Sequence, residues 1–502
     1  MSLKRNVLAN YFGQAYAAVM ALAFVPLYIK YLGIEAYGLI GIFVVLQAWL
    51  ALLDMGMKPA LAREMARFTG GGIDAQSVWD LLRSVEVIAL GIAALTSVGM
   101  YFAAGWLATS WVRPEQLSEE AVVQAFALMG LVIAARFVEN IYTNSIAGLQ
   151  RQVLQNAITI VMATLRGLGS VAVLIWVSPT IEAFFIWQGM VSVATAVIFM
   201  GVVYKILPNP PRAARFSSAE IRNIWKFAAG MMGITFLALL LTQIDKILLS
   251  RLLTLEAFGY YSLAAVVAGG LHIMTAPVGT AFYPRFTELI TRRNELILRE
   301  AYHLAAQLVT VLMGSAAVIL IVFCERILLL WTADPELTAR VAPIAGVLAL
   351  GTGLNCLLWI PYQMQLAHGW TSLTIRINTV AVILLVPTIL WVVPAYGVIG
   401  AAWVWVILNS SFLVFSIYFM HRRLLPAEKW LWYRQDVVIP LVVSIAAALS
   451  LRWLLPDELN RISELGALLV SSGCVLVAAS VAAPLVRKQL FQHVDDYFAR
   501  TK

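Results

Sequence analysis

Apolar stretches of about twenty residues recur along almost the whole 502-residue chain, each bounded by charge, glycine or proline. A stretch of that length crosses the hydrocarbon core of a bilayer as an α-helix. Inside lipid a helix satisfies all of its own backbone polar groups, which an open sheet or loop cannot do. The pattern predicts fourteen spanning helices, at about 6–29, 37–57, 81–108, 121–147, 154–177, 181–204, 227–250, 258–283, 301–324, 341–366, 376–393, 397–420, 436–455 and 464–486. Composition agrees: 61% of the residues are apolar and only 12% are Asp, Glu, Lys or Arg, about half the usual charged share. With a mean hydropathy of +0.85, a water-soluble fold would expose large apolar patches, so that class is excluded. No connection between the runs is long enough for a separate catalytic domain. The expected fold is an all-α polytopic membrane protein.

Charge then orients the helices. With the N-terminus inside, the inner loops and tails hold 24 of the 35 Lys and Arg residues, the outer loops six and the spans five. Basic residues are retained on the cytoplasmic side, so both termini are expected there. The net charge of +8 accordingly reads as topology and contact with anionic lipid rather than nucleic-acid binding. Lys4 and Arg5 precede the first run, and Ala21-Leu22-Ala23 mimics a signal-peptidase site. The run is too long for a signal-peptide core, so it is read as an uncleaved span.

A repeat divides the chain. Lys30-Tyr-Leu-Gly-Ile-Glu-Ala-Tyr-Gly38 follows the first run, and Arg251-Leu-Leu-Thr-Leu-Glu-Ala-Phe-Gly259 follows the seventh, at a constant offset of 221. Six spans separate the copies, so both face the same side, which is a parallel repeat about an axis along the membrane normal. The resulting organisation is a six-helix lobe at 1–205, a cytoplasmic linker at 206–226, a second six-helix lobe at 227–420, and two further helices with a tail at 421–502. The motif itself reads as an interfacial turn, with its glutamate at a helix N-terminus.

Ionisable residues within spans are costly and point to function. Arg136 and Arg166 fall midway along the fourth and fifth spans, at similar depth. Arg136, Glu139, Asn140 and Thr143 share one helical face, and Thr159, Arg166 and Ser170 form a stripe on the next helix. Two guanidinium groups facing a cavity suit an anionic, phosphate-bearing substrate. The competing structural reading is an Arg136–Glu139 pair that holds its helix in place. Arg166 has no acid within reach on its own helix. Asp245 and Lys246 lie in the outer part of the seventh span and point about 100° apart, which argues against their simple pairing. Lys246 is a third candidate for the cationic cavity. Asp245, Glu139 and His272, placed mid-span after Gly269-Gly270, are candidates for ion coupling. Arg83 and Glu86, one turn apart, read as an interfacial pair.

The three cysteines, Cys324, Cys356 and Cys474, lack ligand-like spacing, so neither a disulfide framework nor a metal site is expected. No nucleotide-binding pattern occurs, no cofactor is expected, and energy would come from an ion gradient, the membrane potential or the substrate's own gradient.

Several stretches together resemble a known family: Asn10 and Pro26-Leu-Tyr-Ile-Lys-Tyr-Leu-Gly-Ile-Glu-Ala-Tyr-Gly38; Leu53-Asp-Met-Gly56 running to Arg63; Gly148-Leu-Gln-Arg-Gln with Asn156; and Gln243-Ile-Asp-Lys-Ile-Leu-Leu-Ser-Arg251 with Gly259-Tyr-Tyr261. Their order and spacing resemble the Wzx-type oligosaccharide flippases, polysaccharide transporters of the multidrug/oligosaccharidyl-lipid/polysaccharide flippase superfamily. The resemblance implies two pseudo-symmetric six-helix lobes in a V with the last two helices packed outside. It also implies a non-enzymatic transporter that flips an undecaprenyl-diphosphate-linked oligosaccharide from inner to outer leaflet by alternating access. Expected partners are that lipid-linked oligosaccharide, the bilayer of the bacterial inner membrane, a coupling ion (H+ or Na+), and polymerase and export machinery. A lipid II or multidrug exporter of the same superfamily is the first alternative. A membrane polymerase or ligase is a remote one, because the longest outer connections, about 109–120 and 325–340, are short.

Overall fold

The apolar runs fold as helices throughout. The structure, a computed structural model, describes residues 3–273, 275–456, 459–490 and 492, and these contain no strand. The tail around Lys502 and the side chain of Asn10 lie outside the described residues. Helix starts follow local chemistry. Ser118, Thr180, Ser217, Asp334 and Asn460 each accept a backbone N–H of the first turn through a side-chain oxygen, satisfying donors that have no partner inside the helix.

The long runs become Ile34–Leu50, Ala75–Trp106, Glu119–Gly148, Gln152–Trp176, Ile181–Ile206 and Ser218–Leu252 in the first half of the chain. The first run is broken after Leu3–Ala23 and restarts as Val25–Leu32, with proline in the opening turn. Eleven helical segments among the described residues are long and apolar enough to cross a membrane. One of these, Ser372–Leu424, is two helices: Gly397, at φ 59° and ψ −144°, interrupts it. Only glycine enters that region without strain, and the break falls at the first residue of the expected span 397–420. Ile34–Leu50 and Leu255–Ile273 both begin at the repeated motif, so their starts carry the same 221-residue offset.

The chain divides into two compact units, Met1–Gly259 and Tyr260–Lys502. In the first, Leu61, Met65, Leu82, Ile146, Phe199 and Val203 form a fully buried apolar cluster at one end of the helices. In the second, Val318, Phe323, Ala448, Leu468 and Val475 pack together. Large apolar side chains such as Phe102, Trp176, Val197, Trp391 and Leu469 are exposed on helix flanks. On a multi-pass membrane protein these are lipid-facing positions.

Candidate functional site

Within the first unit, six helical stretches line a cavity of about 340 Å³ whose lining includes Tyr28, Phe43, Arg136, Glu139, Thr159, Arg166, Phe184 and Gln188. Arg136 and Glu139 stand one turn apart on Glu119–Gly148, and Arg166 comes from Gln152–Trp176. The structure therefore brings three of the sequence-selected residues to one chamber, together with Thr159.

The pairing inside differs from the one that sequence spacing suggested. Glu139 turns to Arg166, with Oε2 3.3 Å from a terminal guanidinium nitrogen, which also lies 3.4 Å from Ser192 Oγ. Arg136 makes no such pair. It donates to Gln47 Oε1 at 2.6 Å and to Gln188 Oε1 at 2.9 Å, and its guanidinium lies 5.0 Å from the centre of the Phe43 ring. The physical reason is direction. Residues three apart share a face, but the long arginine side chain reaches past its helical neighbour to the amides of two adjoining helices. Gln188 is itself held, donating to Ser170 Oγ at 3.1 Å, while Ser170 donates to Arg166 O.

The consequence is electrostatic. Two arginines and one glutamate are the charged groups among the described lining residues, which leaves one positive charge uncompensated. That charge resides on Arg136, because amide oxygens orient a guanidinium without neutralising it. Both arginines keep a buried Nε without a hydrogen-bond partner, a donor that costs free energy until something accepts from it. The chamber is thus an apolar and aromatic pocket with oriented cationic donors, able to bind an anion.

The other candidates lie elsewhere. Lys246 donates to Thr242 O at 2.8 Å, and that backward turn of its flexible stem brings the ammonium to 3.9 Å from Asp245 Oδ1. The two adjacent residues do approach each other, contrary to the expectation from their angular separation. Neither lines the cavity. His272 is exposed, with Nδ1 3.8 Å from Cys356 Sγ, and is likewise not in the chamber. Arg83 and Glu86 pair at 3.2 Å, and Glu86 also accepts from the hydroxyls of Tyr142 and Tyr204 at 3.0 and 2.7 Å.

Sequence reading missed a buried polar cluster in the second unit. His303 bridges the carboxylates of Asp436 and Glu428, the latter at 3.3 Å. Gln307 donates to Asp436 at 2.8 Å and accepts from the Leu485 N–H. His421 Nδ1 donates to Ile417 O, so its Nε2 accepts from the Tyr302 hydroxyl at 3.2 Å. No local signal marks this group, because partners more than a hundred residues apart meet only in the fold. The helical spacing of His303 and Gln307 was the one available hint.

The comparisons with known proteins agree with this architecture. The model of a family described as polysaccharide biosynthesis protein matches residues 3–290. A Shigella flexneri protein named as an O-antigen transporter is 20% identical, over 82% of this chain and 97% of its own length. The succinoglycan biosynthesis transport protein ExoT of Rhizobium meliloti (strain 1021) is 23% identical over 80% of each chain. Among solved structures, the lipid II flippase MurJ in an inward closed conformation superposes with a TM-score of 0.66 at 13% identity, covering 95% of this chain and 98% of that one. That likeness is one of fold.

Proposed function

We propose a function from one premise: the chain belongs to the polysaccharide biosynthesis protein family. The reading is a flippase of the multidrug/oligosaccharidyl-lipid/polysaccharide superfamily that carries a polyprenyl-diphosphate-linked oligosaccharide from the inner to the outer leaflet of the bacterial inner membrane by alternating access. It would draw on an ion gradient and hand its cargo to polymerase and export machinery, with both of its own termini in the cytoplasm. The names of the two transport relatives support the cargo class, and the MurJ-like fold supports the transporter class.

The observation that carries the reading is the uncompensated Arg136 in the chamber. A lipid diphosphate must move its charge across the membrane while its tail stays in lipid, and an unlined path would cost several kcal/mol in desolvation. Arg136, pre-oriented by Gln47 and Gln188, offers charge-assisted hydrogen bonds to phosphate oxygens. Arg166 offers a second donor set if Glu139 yields to the incoming anion. The aromatic wall of Tyr28, Phe43 and Phe184 provides flat apolar surface for sugar rings.

The test is export of surface polysaccharide by a complemented deletion strain, normalised to membrane protein level. Arg136→Gln should reduce export by about tenfold or more, the equivalent of one lost charge-assisted contact, with accumulation of the lipid-linked repeat unit inside. Arg166→Gln should be milder, because part of that charge is already shared. Wild-type export by normally accumulated Arg136→Gln protein overturns the role of the chamber. Accumulation of lipid II in place of a sugar-polymer precursor would redirect the reading to a peptidoglycan-precursor flippase.

A further inference from the structure

The two copies of the repeated motif touch each other within the first unit, and they do so reciprocally. A β-carbon on Gly38 would fall against the carbonyl oxygen of Leu255 and 3.3 Å from the nitrogen of Gly259. A β-carbon on Gly259 would fall against the carbonyl oxygen of Ile34. Positions 34 and 255, and 38 and 259, are the matched pairs of the 221-residue repeat, so the contact obeys its own two-fold symmetry. Each glycine lets the opposing helix start approach backbone to backbone.

The connection after Ala75–Trp106 is fastened over this contact, unequally on its two sides. The buried Glu35 carboxylate accepts from three successive N–H groups, of Glu115, Gln116 and Leu117, the last at 3.0 Å. Such a charge-assisted clamp is strong. The second copy holds the connection by lighter means. Leu255 N donates to Arg113 O at 3.0 Å, and Trp111 Nε1 donates to Ser250 Oγ at 3.1 Å. Arg251 rests over the Trp111 ring at 5.5 Å.

We propose that the paired glycines and the 111–117 connection form a releasable seal that closes the chamber to the outer side, and that outward opening separates Ile34–Gly38 from Leu255–Gly259. The connection travels with Glu35, because that clamp is the stronger. What breaks are the Leu255–Arg113 and Trp111–Ser250 bonds, the Arg251–Trp111 contact and the glycine contact: two neutral hydrogen bonds, one cation–ring contact and a small apolar interface. Their weakness is what makes the closed state reversible, because a neutral hydrogen bond adds little net stability. The seal rests on the alternating-access reading and on the motif facing outward, and does not depend on what the cargo is.

The experiment uses the full chain with Cys324, Cys356 and Cys474 replaced by serine, and Thr159→Cys in the chamber as the reporter. Its labelling by a membrane-impermeant maleimide is followed from outside intact cells. Gly38→Val and Gly259→Val, which push the two backbones apart, should each raise the labelling rate several-fold. Trp111→Phe and Ser250→Ala add no bulk and remove the one bond between Trp111 and Ser250 (Ser250→Ala also removes a bond within its own helix, to Ile247 O), and each should raise it by about two- to tenfold. If the valine variants do not accumulate, the latter two decide alone. Unchanged labelling in them overturns the seal, provided a Glu336→Cys control on the outer connection is labelled from outside. If the control is unreactive, the topology fails instead, and with it the outward placement on which this inference rests. Faster labelling with unimpaired polysaccharide export would also overturn the seal, since a leaky outer closure must cost transport.

Discussion

Gln47 and Gln188 present neutral oxygens to Arg136, whereas Arg166 meets the carboxylate of Glu139. The two guanidinium groups line one chamber yet differ in how much charge each has left to give. In the proposed anion-binding role Glu139 would act as a counterweight, balancing part of the charge of the partly buried arginines and limiting how tightly an anion is held. Replacing it with glutamine removes one negative charge while preserving shape. We expect Glu139→Gln to bind a polyprenyl diphosphate about three- to tenfold more tightly in detergent but to export polysaccharide more slowly, because release becomes the difficult step. Equal affinity in a titration followed by native mass spectrometry would show that Glu139 does not compete with the ligand. The Arg136–Glu139 pair was the competing structural reading of their three-residue separation. It failed because the guanidinium lies far enough from its own backbone to choose partners on other helices.

At the scale of elements, the His303 cluster ties together helices from distant parts of the second unit. Asp436 sits inside the wide-turn segment Trp432–Val438, and Gln307 lies just before a second such segment, Thr310–Gly314. Wide turns of this kind displace one residue from the regular ladder and re-aim a side chain. Asp436, within one of them, meets His303 and Gln307, and Gln307 also accepts from the backbone at Leu485. Removing one partner of a buried ionic pair leaves the other uncompensated, at a cost of about 3–5 kcal/mol. His303→Ala is accordingly expected to lower the melting temperature of the purified protein by several degrees, and His303→Ala with Asp436→Leu to recover much of the loss. A double variant as unstable as the two single losses combined would contradict a direct pair. Neither wide turn was legible beforehand: Thr310–Gly314 falls inside a run that reads as uninterrupted apolar helix, and Trp432–Val438 straddles the expected start of the next run at 436.

For the whole molecule, the distribution of basic residues makes a prediction that the helix packing alone does not. In the fourteen-span topology expected from sequence, 24 of the 35 Lys and Arg fall on one side, so a reporter active only in the cytoplasm should work when inserted within 205–226, and one active only outside should work within 325–340. Reversed activities would invert the topology and place the motif contact on the inner side. The alternation of the spans, the capped helix starts and the interruption at Gly397 all come from short-range chemistry: run length, a capping oxygen, a residue that tolerates positive φ.

That division marks what the chain determines by itself. Its membrane-spanning class, the approximate extent of its helices and its internal repeat follow from sequence, because bilayer thickness and backbone hydrogen bonding impose them on any apolar run. Which arginine keeps its charge, which histidine finds two carboxylates and which glycines meet were decided only in the folded protein. Those outcomes depend on the rotation of each helix about its axis and on the reach of side chains across neighbouring helices. No residue spacing along one helix carries that information.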